Sequence, residues 1–249
     1  MQTKEEKIKK VIPLVKKFYG CTTKYHDKQT CNTIAKIARI LKPNQWLRVS
    51  DKPIDTKFNI PQTQITFKPK THAWFSKGEW IHYIKDELGS DWRKSYNLSL
   101  VEIDYTNILV LTTKNDYLEF EKKYCFFQKP DLDGFSRLSK KRAMHTKLYN
   151  AKVCSMLINW KKVAKKYDGI ALIPNPSQYF KVSTLKNRTL LKSLQIDISV
   201  LNHLWLKQYD VSSLAIWRNK NNNPITRYTE LGQLPDDNKT LIELIKQHI

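Results

Sequence analysis

The positions of the seven tryptophans constrain where this chain can build a folded core. All seven lie between Trp46 and Trp217, and residues 1–42 contain none. Aromatic side chains bury large apolar areas and dominate the energetics of protein cores. Together with a length of 249 residues, this places one sizeable core domain at residues 43–220. Residues 1–42 form an extension before it, and residues 221–249 form a linker and a helix after it.

The spacing of apolar residues predicts both strands and helices. Short apolar runs that end at turn residues indicate strands at 45–50, 64–67, 73–76, 98–104, 108–112, 169–173 and 211–217. Helical spacing indicates helices near 115–124, 145–167 and 183–208, with another from residue 237. Residues 126–142 are expected to form an irregular loop. We therefore expect an α+β fold: a small split mixed or antiparallel sheet with flanking helices, a basic helical N-terminal extension and a C-terminal amphipathic helix.

Positive charge is concentrated in two stretches of the chain. Residues 1–42 contain 11 Lys/Arg against 3 Asp/Glu, and residues 137–192 contain 14 against 1, while the remaining residues carry 19 of each sign. The formal net charge of +21 therefore belongs to these stretches. Such blocks indicate surfaces that bind a polyanion, with nucleic acid as the first candidate. The predicted contact residues are Lys140, Lys141, Arg142, Lys161, Lys162, Lys165 and Lys166. The helical spacing within residues 1–42 fits both an extension packed on the core and a free arm.

Several classes of protein are disfavoured by the sequence. No apolar run approaches the roughly 18 residues of a membrane-spanning helix, and the N-terminus lacks the apolar stretch of a secretory signal. We therefore expect a soluble intracellular protein without a membrane partner. The spacing Cys21-x4-His26-x4-Cys31 is half of a zinc knuckle, but Phe18 occupies the position of the remaining cysteine. Paired carboxylates occur at spacings that are common by chance, so we expect no metal site. The six glycines are too far apart for a phosphate-binding loop.

Three short segments place aromatic residues beside a small polar or acidic residue. They span residues 73–80, 159–170 and 205–217, and each falls at a predicted boundary between elements, where a cleft can form. Tryptophans at such spacing are also typical of a core, and Asp-Gly before a strand is typical of a turn. Each segment alone therefore fits a structural role as well as a functional one.

Taken in order, the three segments resemble those of a poorly characterised family of bacterial and large-DNA-virus proteins. That family carries W-x-S, Y-D-G-I and W-D-x-x-S-x-x-I-W segments, which match here at Trp74 and Ser76, at residues 167–170 and at residues 209–217. The resemblance covers about residues 45–220. This chain departs from the pattern at Tyr209, where the family has a tryptophan, and at Asn159, where it has an acid.

The layout also resembles a degenerate ADP-ribosyltransferase body, a small split-sheet fold that grips NAD between its early strands. That resemblance implies NAD as cofactor, a basic residue on the first strand, a Ser or Tyr on the second and an acid on a later strand. By position, Arg48 would bind the NAD phosphates or ribose, and Ser76 would order the site. Trp74 or Trp80 would stack on the nicotinamide. Asp210 would orient the nicotinamide ribose and stabilise the oxocarbenium-like transition state; the alternative acids are Glu79 and Asp168.

Three hypotheses about function follow from the charge and the resemblance. The first is an ADP-ribosyltransferase-like enzyme that acts on or near nucleic acid. The second is a non-enzymatic nucleic-acid-binding protein, in which the blocks at 1–42 and 137–192 contact phosphates and exposed aromatic side chains stack on bases. The third is a structural or packaging protein whose basic arm neutralises a polyanion. Binding of NAD separates the first from the others, and a salt-dependent affinity is expected of the second.

Overall fold

The computed structural model of this chain describes residues 3, 5–9, 28–82, 96–127, 156–173, 209, 212–220 and 223–249. The labelled helices are α1 (Lys28–Ile40), α2 (Lys114–Tyr124), α3 (Trp160–Ala164) and α4 (Asn238–Lys246). Residues 5–9 and 79–82 are also helical. The strands are β1 (Gln45–Ser50), β2 (Phe58–Asn59), β3 (Ile65–Thr66), β4 (Ala73–Phe75), β5 (Asn97–Ile103), β6 (Ile108–Leu111), β7 (Cys125–Phe127), β8 (Met156–Asn159), β9 (Gly169–Leu172), β10 (Ser213–Ile216), β11 (Arg218–Asn219) and β12 (Ile225–Gln233).

Most of these strands belong to two sheets. The first has three antiparallel strands in the order β1-β5-β12. The second has four strands in the order β4-β10-β9-β6, in which β6 and β9 run parallel and the other pairs run antiparallel. Smaller sheets are formed by β2 with β11 and by β3, β8 and β7. These mixed and antiparallel sheets, with helices beside them, confirm the predicted α+β fold class.

One pair of hydrogen bonds joins the two main sheets. Leu47 N donates to Ser76 O, and Ser76 N donates to Leu47 O, both at 2.9 Å. The end of β4 therefore lies beside β1. In antiparallel pairing, opposed residues place their side chains on the same face, and the next residue along a strand lies on the other face. Leu47 and Ser76 thus share one face of the joined sheet, whereas Trp46 and Arg48 lie on the opposite face.

Three apolar clusters divide the molecule into layers. The first cluster joins the inner faces of the two main sheets, through residues such as Val101 of β5 and Ala171 of β9. The second joins the outer face of the four-stranded sheet to α2 and α3, and the third joins the outer face of the three-stranded sheet to α1 and α4. The two sheets therefore pack face to face, and the two helix pairs lie on opposite outer sides.

Helix α1 packs on the body of the protein. The sequence left open whether the N-terminal extension packs on the core or is a free arm, and residues 28–41 are packed on the core. Ile34, Ile37 and Leu41 are at most 4% exposed. They recur at helical spacing, so one side of α1 is apolar. Ile34 reaches the cluster between the sheets, while Ile37 and Leu41 pack beside α4 in the third cluster. The described part of the N-terminal extension is therefore a component of the core.

The Asp-Gly pair before β9 has a packing role. Strand β9 lies between β10 and β6, so its first residue is crowded from both sides. A Cβ atom at Gly169 would lie 2.7 Å from the Ala215 carbonyl oxygen and 2.7 Å from Ile108 Cδ1. Those distances are well inside van der Waals contact. Only glycine allows the three strands to approach this closely here.

Side-chain caps fix where two of the helices begin. The Thr113 hydroxyl accepts a hydrogen bond from Asp116 N at 3.1 Å, and the Asp116 carboxylate accepts one from Thr113 N at 3.0 Å. This capping box starts α2. The Asp237 carboxylate accepts hydrogen bonds from Lys239 N and Thr240 N at 2.9 Å and starts α4. The helices predicted near 115–124 and from residue 237 are therefore confirmed.

Two predictions for the middle of the chain are wrong where the structure describes it. The helix predicted at 145–167 contains a strand, β8, at residues 156–159, and only the short α3 follows. The strand pairs with β3 and β7, and Asn159 accepts a hydrogen bond from the backbone of α3 at 2.9 Å, which starts the helix there. Strand β7 also occupies the first residues of the loop predicted at 126–142. The remainder of both segments, and the helix predicted at 183–208, lie outside the described residues.

Candidate nucleic-acid interface

Six exposed lysines surround the junction between α2 and α3, and we call this set the lysine surface. Its members are Lys122 and Lys123 at the end of α2, Lys161 and Lys162 in α3, and Lys165 and Lys166 directly after α3. Four of the six are among the nucleic-acid contacts that the sequence predicts, and their side chains are exposed as that prediction requires. The other predicted contacts, Lys140, Lys141 and Arg142, lie outside the described residues.

The lysines are exposed because the opposite side of α3 is held in the core. Trp160 is fully buried, with its ring centroid 6.2 Å from that of Phe120 in α2 and 6.0 Å from that of Trp217 after β10. Val163 and Ala164 are buried as well. Because these three residues of α3 face inward, the lysines between and after them are left on the outer side.

Three of the six lysines already make contacts or favourable electrostatic interactions within the protein. Lys162 Nζ donates to Lys123 O at 3.0 Å, which joins α3 to the end of α2. Lys122 and Lys123 lie in the last turn of α2, where a cation stabilises a helix by about 0.3–1 kcal/mol. Lys123 Nζ also lies 5.3 Å from the centroid of the Tyr124 ring. Within the described residues, no such contact is found for Lys161, Lys165 and Lys166.

The lysine surface is not neutralised by the acid that follows it. Asp168, the one acid of the stretch 137–192, binds Arg218 Nη1 at 2.8 Å, and its carbonyl accepts hydrogen bonds from Trp217 N and Arg218 N. Asp168 therefore ties β9 to β11 and does not face the lysines as a counter-charge. Lys161, Lys162, Lys165 and Lys166 place four like charges within six residues, so these side chains repel one another. A polyanion bound here would relieve that repulsion.

Ser76 has a structural role at the start of a helix. Its Oγ accepts hydrogen bonds from Gly78 N at 3.3 Å and from Trp80 N at 3.2 Å, where the helical residues 79–82 begin. Since Ser76 is opposed to Leu47, its side chain lies on the face opposite to that of Arg48. The structure therefore does not bring together the basic residue and the serine that the resemblance assigns to one NAD site.

The predicted stacking residues are separated as well. Trp74 packs in the second cluster, with its ring centroid 6.0 Å from that of Tyr209, and Lys68 Nζ lies 5.6 Å from the Trp74 centroid. Trp80 packs against the third cluster, beside α1 and α4. The predicted acid Asp210 lies outside the described residues.

The alternative acid Glu79 is held by backbone donors. Its carboxylate accepts hydrogen bonds from Lys77 N at 3.2 Å and Ser212 N at 3.3 Å. Burial raises the pKa of the Glu79 carboxyl, and hydrogen bonds from Ser212 and Lys77 act in the opposite direction. Glu79 thus joins the end of β4 to the residue that precedes β10.

Arg48 belongs to a different polar group, on the inner face of the three-stranded sheet. It is paired across the sheet with Ser99, which is paired in turn with Glu230 of β12. Ser99 Oγ and Tyr228 Oη are 2.9 Å apart, and Tyr228 Oη donates to Glu230 Oε1 at 3.5 Å. Arg48 Nη1 donates to the backbone carbonyl of residue 52 at 2.7 Å. Burial lowers the pKa of Arg48, while Tyr228 and the nearby residue 51 oppose that shift. Sequence reasoning missed Glu230 because it did not predict β12, and it missed Ser99 because the sequence does not reveal that β1 pairs with β5.

In the part of the chain that the structure describes, two lysines are buried and serve as internal hydrogen-bond donors. Lys7 Nζ donates to the carbonyls of residues 105, 106 and 108 at 2.8–3.0 Å. Lys77 Nζ donates to the carbonyls of residues 42, 43 and 45, and lies 4.5 Å from the centroid of the Trp46 ring. Burial lowers the pKa of Lys77 to about 7, with Glu79 opposing the shift. Not every basic residue of the chain is therefore available to a partner.

The fold and the surface together define a small α+β protein with two facing sheets, helical outer layers and a cationic patch on one of those layers. No family model matches the chain, and neither the curated proteins nor the solved structures give a match. Among the described residues, no group of three or more His, Cys, Asp or Glu side chains could hold a metal ion. No helix in the described ranges is long and apolar enough to cross a membrane.

Proposed function

We propose that this protein binds nucleic acid through the lysine surface. The observation that carries the proposal is a cluster of six exposed lysines at one helix junction, four of which belong to a stretch whose one acid, Asp168, is bound to Arg218. Phosphate groups supply the negative charge that such a cluster attracts, and contacts to phosphates dominate the affinity of nucleic-acid-binding proteins.

The proposed contact is to the phosphate backbone rather than to bases. Among the described residues, Leu118 is the exposed large apolar side chain, and no Phe, Trp or Tyr side chain is exposed. Stacking on bases requires an aromatic face that a base can reach. The expectation that exposed aromatic side chains stack on bases therefore receives no support from the described surface. We expect binding that depends strongly on salt and weakly on base sequence.

The experiment compares two variants of equal charge. In the first, Lys161, Lys162, Lys165 and Lys166 are all replaced by Glu. In the control, four exposed lysines from other parts of the surface are replaced by Glu: Lys52, Lys57, Lys70 and Lys220. Binding of a fluorescently labelled duplex is measured by anisotropy across a range of salt concentrations. Circular dichroism of both variants confirms that they are folded.

Wild-type affinity should fall about 10³-fold between 50 and 200 mM salt if six phosphates are neutralised. The variant in α3 should bind more weakly than the control and show a shallower salt slope, because each lost phosphate contact removes about 0.9 from that slope. Equal weakening of the two variants would mean that net charge alone drives the interaction. Wild-type affinity that does not respond to salt would overturn the proposal.

A second candidate function is NAD-dependent ADP-ribosyl transfer, favoured by the row Arg48, Ser99 and Glu230. The resemblance implies a basic residue on the first strand, a Ser or Tyr on the second and an acid on a later one. This row has the basic residue on β1, and its serine and acid lie on β5 and β12, the next two strands across the sheet. Calorimetric titration of NAD tests it. Saturable binding that is lost in Arg48→Ala and kept in Ser76→Ala would support the function; absence of binding to the wild type would reject it. Unfolding curves of both variants provide the control for folding.

A further inference from the structure

A cationic groove lies between α1 and α4, on the side of the molecule opposite to the lysine surface. The groove has a volume of about 870 Å³. Its polar lining comes from both helices: Asn32, Lys36 and Arg39 of α1, and Lys239, Glu243 and Lys246 of α4. Lys36 and Arg39 belong to the basic block at residues 1–42 that the sequence predicts to contact phosphates, whereas the residues of α4 belong to neither predicted block.

The two helices form this groove because each buries its other side. In α1, Asn32, Lys36 and Arg39 recur at helical spacing and are exposed, while the apolar residues of α1 face the core. In α4, Leu241 and Ile245 are buried. Their burial leaves the lysines of α4 on the exposed side, beside those of α1. The exposed polar sides of the two helices therefore line the groove together.

The groove has an excess of positive charge. Four of its lining side chains are cationic, and its one carboxylate, Glu243, is bound to Lys246 Nζ at 2.8 Å. Lys36, Arg39 and Lys239 thus remain as charges without a described ion pair. Arginine and lysine beside amide side chains suit phosphate oxygens, since the guanidinium group binds phosphate through two parallel hydrogen bonds and the amides donate further ones.

We propose that this groove binds the phosphate backbone of a second nucleic-acid segment, so that one molecule of this protein bridges two segments. The proposal rests on the proposed function of the lysine surface. The groove and the lysine surface lie on opposite outer layers, separated by two facing sheets. Facing sheets pack about 10 Å apart and a helix is about 10 Å across, so the two surfaces are separated by a distance on the order of 30 Å.

A single short duplex cannot reach both surfaces. Bending a site of 20–30 base pairs by 40–90° costs about 1–6 kcal/mol, and reaching the opposite side of the protein requires a larger bend than that. Two separate segments, each bound on one side, avoid this cost. The charge distribution therefore favours bridging over wrapping.

The experiment measures bridging directly with the full chain. A duplex of about 20 base pairs, which is rigid because it is much shorter than the persistence length of about 150 base pairs, is fixed to beads. A second duplex carries a fluorophore, and the protein is added at low salt. Fluorescence on the beads reports capture of the second duplex. Sedimentation of the protein without DNA shows whether it is a monomer.

The decisive variant replaces Lys36, Arg39 and Lys239 with Glu. It should still bind a single duplex through the lysine surface. It should capture the second duplex at least about tenfold less than the wild type, because three side chains that attract phosphate are replaced by side chains that repel it. A matched control replaces three exposed lysines elsewhere with Glu: Lys52, Lys57 and Lys220. The control should capture clearly more of the second duplex than the groove variant does.

Three results would overturn the proposal. Undiminished capture by the groove variant would mean that the groove is not the second site. Bridging only by a dimer in sedimentation would assign the second site to a second copy. Binding of fluorescent poly-glutamate that the groove variant loses, and that added duplex does not displace, would assign the groove to an acidic peptide. If the wild type bound no duplex at all, the proposed function itself would be rejected. Failure of the bridging proposal and failure of the proposed function are therefore distinguishable.

Discussion

Lys77 should make the stability of this protein depend on pH in the alkaline range. Its side chain is 0% exposed, at the point where β4 meets β1. Its ammonium group donates to three backbone carbonyls and lies 4.5 Å from the Trp46 ring centroid. Burial lowers the pKa of Lys77 from 10.5 to about 7 in the folded protein, against an opposing effect of Glu79. The unfolded chain keeps the ordinary lysine pKa.

The sign and size of the effect follow from these two pKa values. Between about pH 7 and 10.5 the unfolded chain binds a proton that the folded protein does not, so the free energy of unfolding rises with pH. Each pH unit in this range adds about 1.4 kcal/mol, which gives about 5 kcal/mol in all. Below this range both states hold the proton, and above it neither does. The contribution of Lys77 is then constant.

The assay is urea unfolding of the wild type and of Lys77→Met at a series of pH values from about 6 to 10. Methionine has a similar length and cannot titrate. The wild type should gain about 4 kcal/mol relative to this variant across the series. Lys52→Met, which removes an exposed lysine, should follow the wild type at a constant offset. A constant offset for Lys77→Met as well would refute the reasoning, because it would mean that the three carbonyls and the Trp46 ring fully offset the cost of burying the charge.

Three further predictions concern contacts that hold the layers together, and urea unfolding tests each. Thr113→Ala removes the capping box of α2 and should cost about 1 kcal/mol, whereas Thr113→Ser should cost less because it keeps the hydroxyl. Gly169→Ala should lower the melting temperature, because the new Cβ atom would lie 2.7 Å from the Ala215 carbonyl oxygen. Arg218→Met should cost roughly 1–3 kcal/mol, because the Asp168 side chain is 13% exposed and would lose its ion pair. An unchanged unfolding midpoint in any of these variants would contradict its prediction.

Strands with a strong local pattern could be predicted from the sequence. Strand β1 was predicted at 45–50 and lies there, because its apolar run ends at the turn residues Asp51, Lys52 and Pro53. Strand β12 was missed because six of its nine residues are polar or glycine, and most of them are not buried. Its place in the sheet comes from pairing with β5, over 120 residues away, which a local pattern cannot reveal. The sequence predicts helix at strand β8 because a short apolar run fits both periodicities.

The exposure of a side chain on a helix can be predicted from the local sequence, whereas the grouping of side chains across a sheet cannot. The exposure of Lys161, Lys162, Lys165 and Lys166 is predicted from a helix at 145–167 that turns its apolar residues to the core. Only the short α3 of that helix is present in the described residues, but its Trp160, Val163 and Ala164 still recur at helical spacing and are buried. The grouping of Arg48 with Ser76 depended on which residues of β1 and β4 are opposed. Since a shift of one residue moves a side chain to the other face of a sheet, the sequence could not decide it.

Removal of residues 1–42 would not be a clean test of the packaging hypothesis, in which a basic arm neutralises a polyanion. That deletion would remove α1 and the residue after it, and with them Ile34, Ile37 and Leu41, which are at most 4% exposed. Burial of each such side chain contributes about 1.5–3 kcal/mol, or about 5–9 kcal/mol for the three, which is comparable to the whole stability of a typical domain. A truncated chain would thus lose binding through unfolding, whether or not α1 contacts a polyanion. Charge reversal at Lys36 and Arg39 changes the exposed side of α1 and keeps its buried side, so it separates the role of the helix in binding from its role in the core.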